Sequence, residues 1–155
     1  MTLLFLPVTG AQLADWSAAG VLAGPLSAYA ATPGLMLAFE PADAEEAEHL
    51  ALLVASVAAL ADTGVRQVAV IEGEALPAET GTEDFGKVVV GDLRFGAIVS
   101  LFADEPDAPG LAEAAEAASG LSLQEAWNHP VVTDLLEEAD LLWHGPGEWA
   151  SLGKG

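Results

Sequence analysis

The segment of residues 43–61 constrains the fold more than any other part of the chain. Asp43 can cap a helix here, Glu46 completes a capping-box-like pair, and further acidic residues stand near the positive end of the helix dipole. From Leu50 onward the segment is apolar on nearly every side of a helix. We therefore expect the central helix of a core. The apolar run of residues 50–61 is too short to span a bilayer.

Shorter patterns surround this helix. Strand-like runs occupy residues 3–8, 66–71, 87–90, 97–102 and 140–144. Helical spacing or capping signals occur at residues 11–19, after Thr32-Pro33, at 111–118, after Ser122 and from Pro130. Without the run at 87–90, the order is βαββαβ, which predicts an α+β fold of ferredoxin-like order with an extra strand. We expect a mostly antiparallel sheet with helices on one face, forming a single domain over residues 1–152 with a flexible tail at 153–155.

The charge balance excludes several classes of partner. The chain has 24 Asp plus Glu against 4 Lys plus Arg, a formal net charge of −20. The four basic residues are Arg66, Lys87, Arg94 and Lys154. They are too scattered to form a groove that follows phosphates, and an anionic membrane surface would repel the chain. We expect neither nucleic acid nor membrane as a partner, and we interpret the acidity as a solubility feature.

The chain contains no cysteine, which excludes disulfides, thiolate zinc sites and cysteine nucleophiles. This composition suits a reducing compartment. Residues 1–30 are nearly uncharged and residues 28–30 imitate a signal-peptidase site, but no basic residue precedes Arg66. A secretory signal needs a basic beginning, so we expect a folded segment and a cytoplasmic protein.

One fragment imitates part of a metal site. Glu46 and His49 form a Glu-x-x-His pattern, and their spacing places both side chains on one helix face. Di-iron carboxylate proteins use two such motifs on facing helices, and the second is missing from this sequence. We therefore expect a surface pair near the start of the helix and no bound metal.

Two other histidines are candidates for acid–base chemistry. His129 precedes Pro130 and follows Glu125 by four residues, but the sequence nominates no nucleophile for it to activate. We expect it to cap a helix or to be partly buried. His144 follows Trp143 at the end of a predicted strand. Asp140 and Glu148 are near His144 in sequence, which alone does not define an acid–base pair.

Sequence signatures of cofactor sites are also missing. The chain has no phosphate-binding loop, no dinucleotide-binding glycine pattern and no nucleophile elbow, so we predict no cofactor. Trp127, Trp143 and Trp149 lie toward the C-terminus. Aromatic side chains anchor both cores and interfaces. We favour the core for this group, with Trp149 as the exposed member.

Several segments together resemble an actinobacterial family of uncharacterised proteins, a domain of unknown function. The resemblance rests on Leu6-Pro7-Val8-Thr9, the Ala-Tyr-Ala-Ala-Thr-Pro-Gly-Leu stretch at residues 28–35, Glu45-Glu46-Ala47-Glu48 and Leu141-Leu142-Trp143. It spans most of the chain and implies no activity. The chain departs from the family pattern in two places. Met36 stands where the family usually has a basic residue, and residues 144–149 replace an ending of an aromatic residue, a polar pair and Glu-Leu.

Three functional hypotheses follow. The favoured one is a protein-binding domain without catalytic activity, whose partner is another protein or a second copy of the chain. The first alternative is a small-molecule-binding or hydrolytic enzyme with a cleft near Tyr29, His129 and His144. The second alternative is an acidic decoy of DNA for a basic protein. The candidate binding residues are Tyr29, Thr32, His129, Trp143, His144 and Trp149.

Overall fold

The computed structural model describes residues 2–74, 85–105 and 108–148, so the predicted tail lies outside the described residues. The strands are β1 Thr2–Pro7, β2 Val21–Leu22, β3 Leu26–Tyr29, β4 Gln67–Gly73, β5 Lys87–Val90, β6 Leu93–Arg94, β7 Ile98–Ala103 and β8 Leu142–His144. The helices are α1 Gly10–Ala19, α2 Pro33–Phe39, α3 Ala44–Thr63, α4 Leu111–Ala118, α5 Leu123–Trp127 and α6 Pro130–Glu138. The predicted α+β class is confirmed.

Six strands form one sheet in the order β5-β3-β1-β4-β7-β8, and every neighbouring pair is antiparallel. The ferredoxin-like order is not confirmed, because it would place β7 between β1 and β4. Instead β1 pairs directly with β4, and β7 lies beyond β4. The observed strand order depends on β3, a strand that the sequence patterns did not predict. It pairs with the side of β1 that faces away from β4. The segment through α2 and α3 therefore connects β3 to β4, two parallel strands with β1 between them.

Helix α3 is the centre of the core, as predicted. Its N-terminus is capped by Asp43, whose carboxylate accepts a hydrogen bond from the Glu46 backbone N–H at 2.9 Å. One side of the helix, including Val54, packs on the sheet. The other side, including Val57 and Leu60, packs on α4, α5 and α6. Burial on two sides explains why the segment is apolar all round. No helix in the described ranges has the length and apolarity needed to cross a membrane.

The sheet also has an occupied second face. Helix α1 and the two-stranded ribbon of β2 and β6 cover it, with Leu13 and Trp16 fully buried against the sheet. The Trp16 indole Nε1–H donates to the Leu93 carbonyl at 3.0 Å, which fixes α1 to the ribbon. The sequence placed the helices on one face, whereas the structure divides them between both faces.

Candidate functional site

Three aromatic rings from separate parts of the chain pack against one another. Phe39 ends α2, Phe85 lies just before β5, and Trp127 ends α5. The ring centroids of Phe39 and Trp127 are 5.5 Å apart, those of Phe39 and Phe85 5.8 Å, and those of Phe85 and Trp127 6.1 Å. All three pairs meet edge to face, an arrangement that the ring quadrupoles favour. We call these residues the aromatic triad.

The aromatic triad borders an open groove of about 540 Å³. Tyr29 and Lys87 line the groove from the sheet, and Ser122, Gln124 and Asn128 line it from α5 and its ends. This volume falls within the range of about 300–1,000 Å³ that is typical of small-molecule sites. Such sites combine apolar and aromatic walls with a few polar groups, which is the composition of this groove.

The sheet side of the groove depends on a glycine. Lys87 stands directly opposite Tyr29 in the pairing of β5 with β3. Gly86 precedes it with φ at +81°, and its carbonyl accepts a hydrogen bond from the Ala30 N–H at 2.9 Å. A Cβ at this position would lie 2.3 Å from the Ala30 oxygen. Only glycine fits here, and it connects Phe85 to Lys87 through a left-handed backbone conformation.

The helical side is fixed by caps. The Thr32 hydroxyl accepts a hydrogen bond from the Leu35 N–H at 3.2 Å and so begins α2, which carries Phe39. Ser122 and Glu125 form a reciprocal capping box at the start of α5, which carries Trp127. The sequence predicted both caps. Their contribution to the groove is to orient two of the three rings.

Lys87 is the one charged residue among the described lining residues. Its side chain is exposed, and no carboxylate of the described residues lies within ion-pair distance of it. The Ser122 hydroxyl oxygen accepts a hydrogen bond from the Glu125 backbone N–H at 3.2 Å. The described lining therefore offers a cation, four uncharged polar side chains (Tyr29, Ser122, Gln124 and Asn128) and an apolar wall, a set suited to binding.

The structure brings one of the six candidate residues, Tyr29, to this groove, and a second, Thr32, acts on it only through α2. Tyr29 lines the groove directly, and Thr32 orients the helix that supplies Phe39. His129 lies elsewhere, where its Nδ1 accepts a hydrogen bond from the Val131 N–H at 3.2 Å and caps α6. The capping interpretation of His129 is confirmed. Glu125 accepts a hydrogen bond from the Ser122 N–H at 3.3 Å, and the described residues show no ion pair between Glu125 and His129.

Trp143 and His144 belong to the edge strand β8. Trp143 stands opposite Phe102 and His144 opposite Leu101, and neither lines the groove. The Trp143 side chain is 64% exposed, whereas the sequence named Trp149 as the exposed tryptophan. Trp149 itself lies outside the described residues.

In the Glu-x-x-His fragment, Glu46 forms a hydrogen bond to the backbone at the start of α3. The Glu46 carboxylate accepts a hydrogen bond from the Ala42 N–H at 2.9 Å, which satisfies a donor just before the helix. Across the described ranges, no three His, Cys, Asp or Glu side chains are grouped so that they could hold a metal ion.

A family model described as a family of unknown function, DUF6912, matches residues 2–152. The chain belongs to this family. No curated protein and no solved structure matches the chain. The resemblance to a domain of unknown function is thereby confirmed, and membership of the family brings no activity with it.

Sequence reasoning did not assign most of the described lining residues to a site, and Trp127 was assigned to the core. The missed residues are Ala38, Phe39, Phe85, Lys87, Leu123, Gln124 and Asn128. One signal was available, since Lys87 is among only four basic residues and follows an aromatic-glycine pair. The spacing of residues 39, 85 and 127 carries no comparable signal, because nothing local relates three segments that meet only in the folded chain.

Proposed function

We propose that this protein is a binding domain without catalytic activity that takes a small organic molecule into the groove beside the aromatic triad. The observation that carries the proposal is the packing of Phe39, Phe85 and Trp127 against a groove of about 540 Å³ in which Lys87 is the one charged residue among the described lining residues. A two-ring apolar compound would gain contact with the exposed parts of these rings and remove them from water.

The residues of the groove support binding over chemistry. General acid–base catalysis needs a titratable pair within hydrogen-bond reach of the substrate, and the described lining residues include no carboxylate or histidine. A nucleophilic lysine is activated by removal from water or by a neighbouring cation, whereas the Lys87 side chain is exposed to water. This proposal keeps the non-catalytic part of the hypothesis drawn from the sequence and changes the bound partner to a small molecule.

The tryptophans allow a test within one molecule. Naphthylacetamide, a neutral two-ring probe, should shift the indole N–H resonance of Trp127 in a two-dimensional NMR titration. The resonances of Trp16, which belongs to α1 and is buried against the opposite face of the sheet, and of Trp143, which is exposed on β8, should stay in place. Equal shifts at Trp127 and Trp143 would indicate nonspecific adsorption and reject the proposal, as would no shift at all.

A matched pair of variants locates the binding. Ala38→Phe adds a ring at an exposed position that lines the groove, and it should weaken probe binding. Ala14→Phe makes the same change at an exposed position of α1, on the opposite face of the sheet. It should leave the affinity unchanged. Similar affinities for the two variants would show that the probe binds elsewhere.

A second candidate is the protein-binding role favoured by the sequence, with a second copy of the chain as the partner. Trp143 is 64% exposed beside the exposed Leu142, and within the described residues β8 pairs on one side only. An exposed indole on an edge strand is a common feature of strand pairing between chains. Sedimentation velocity tests this candidate: wild type should associate, Trp143→Ser should not, and Leu37→Ser on α2 should behave as wild type.

We also propose that the protein acts in the cytoplasm. The absence of cysteine supports this location, because proteins of oxidising compartments commonly use disulfides. Fractionation of cells that express the tagged chain tests it, and recovery in a secreted or membrane fraction would contradict it.

A further inference from the structure

The charge inside the groove differs from the charge of the rest of the molecule. The chain carries 24 acidic side chains, yet the described residues that line the groove include none of them. They include Lys87, one of four basic residues in the chain. Among the other three, Arg66 is buried in an ion pair and Arg94 belongs to the ribbon on the opposite face of the sheet. Lys87 is therefore a local positive site in a strongly negative molecule.

The position of Lys87 relative to the rings defines a two-part site. Lys87 and Tyr29 stand side by side on the sheet, and Tyr29 is opposite Phe5 on the same face. The aromatic triad forms the neighbouring wall. A ligand that fills the groove would contact the triad with its apolar body and reach the Lys87 ammonium with its other end.

We propose that the ligand of this groove is an apolar monocarboxylate, with its carboxylate paired to Lys87 and its apolar body against the aromatic triad. The inference rests on the proposed function and adds the ligand class. An ammonium ion attracts an anion and repels a cation, and it repels a cation more strongly where water is partly excluded. A single negative charge fits better than several, because the net charge of −20 repels each additional one.

The edge-to-face packing of the triad argues against a cage for a quaternary ammonium ion. Such cages surround the cation with the faces of several rings. Here the rings contact one another, with centroids 5.5 to 6.1 Å apart, and leave no space between them for a cation. The Lys87 charge beside them opposes a cation as well.

Three probes with the same two-ring body separate these possibilities: naphthylacetate, naphthylacetamide and naphthylethylamine. Each is titrated into the full chain at pH 7 while the Trp127 indole resonance is followed. We expect the acid to bind about fivefold more tightly than the amide, the gain of one exposed ion pair, and the amine to bind most weakly.

Two variants of equal net charge complete the design. Lys87→Met keeps the apolar stem and removes the ammonium. Because the position is exposed, we expect the variant to fold, and circular dichroism checks this. Arg94→Met removes one positive charge at an exposed position away from the groove. The preference for the acid should disappear in Lys87→Met and persist in Arg94→Met.

The outcomes separate this inference from the proposed function. If acid and amide bind equally at Trp127, or if the amine binds most tightly, the ligand class is wrong and the binding groove stands. If Arg94→Met loses the preference as fully as Lys87→Met, the effect is one of overall charge and the assignment to Lys87 is wrong. If no probe shifts Trp127, the proposed function fails and the ligand class fails with it.

Discussion

Arg66 and Asp104 form a buried two-point ion pair where β4 begins and β7 ends. The Arg66 Nε donates to one carboxylate oxygen of Asp104 at 2.8 Å, and its Nη2 donates to the other. The same Nη2 donates to the Ala139 carbonyl at 2.8 Å, which attaches the end of α6 to the sheet. The two side chains are 1% and 5% exposed. One arginine thus joins two strands to a helix that packs on the far side of α3.

Removing the acidic partner should destabilise the fold strongly. Asp104→Asn leaves the Arg66 guanidinium buried without a compensating charge, which should lower the free energy of unfolding by about 3–5 kcal/mol in urea denaturation. Asp15→Asn, at an exposed position of α1, is the control and should change it by less than about 0.5 kcal/mol. The double variant Arg66→Met with Asp104→Leu should recover much of the loss, and a double variant less stable than Asp104→Asn would contradict this account.

Two leucines in helices provide a matched test of the core. Leu60 in α3 is fully buried, whereas Leu37 in α2 is 81% exposed. Leu60→Ala should cost about 2–5 kcal/mol because it leaves a cavity between α3 and the outer helices. Leu37→Ala should cost less than about 0.5 kcal/mol. If chemical denaturation gave a similar loss of unfolding free energy for Leu60→Ala and Leu37→Ala, α3 would not be the centre of the core.

The groove should depend on Gly86. Gly86→Ala forces a side chain into the left-handed region, which costs about 1–2 kcal/mol, and its Cβ would overlap the Ala30 carbonyl. We expect a lower melting temperature and weaker binding of the naphthyl probes. Gly96→Ala is the control, since a Cβ there meets no atom within 4 Å and the φ is not positive. A Gly86→Ala variant as stable as wild type would show that this backbone geometry is not required.

Added sodium chloride should raise the melting temperature at pH 7. A net charge of −20 makes the compact state self-repelling, and the screening length falls from about 30 Å at 0.01 M to about 10 Å at 0.1 M salt. The ion pair of Arg66 and Asp104 is buried and should lose little to screening. In a variant with Glu113→Lys and Glu116→Lys, which is less negative, the rise should be smaller. A melting temperature that falls with salt would mean that attractive pairs outweigh the repulsion.

Local signals predicted the helices well. Thr32, Asp43 and Ser122 cap α2, α3 and α5 as expected, because a cap is an interaction between residues three positions apart. The strand at residues 26–29 was missed, since its apolar pattern is short and interrupted and its partners lie in β1 and β5. That omission led to the wrong strand order, because β3 determines which strands α3 connects.

The sequence by itself determined the α+β class, the central helix, the helix caps and the negative charge of the molecule. These properties depend on composition and on contacts between residues a few positions apart, and both can be read from the sequence itself. Only the tertiary structure decided the sheet order, the burial of Arg66 against Asp104 and the meeting of Phe39, Phe85 and Trp127 beside Lys87. Those depend on which faces of distant segments pack together, and long-range packing is set by the summed burial of the whole chain and not by any local pattern.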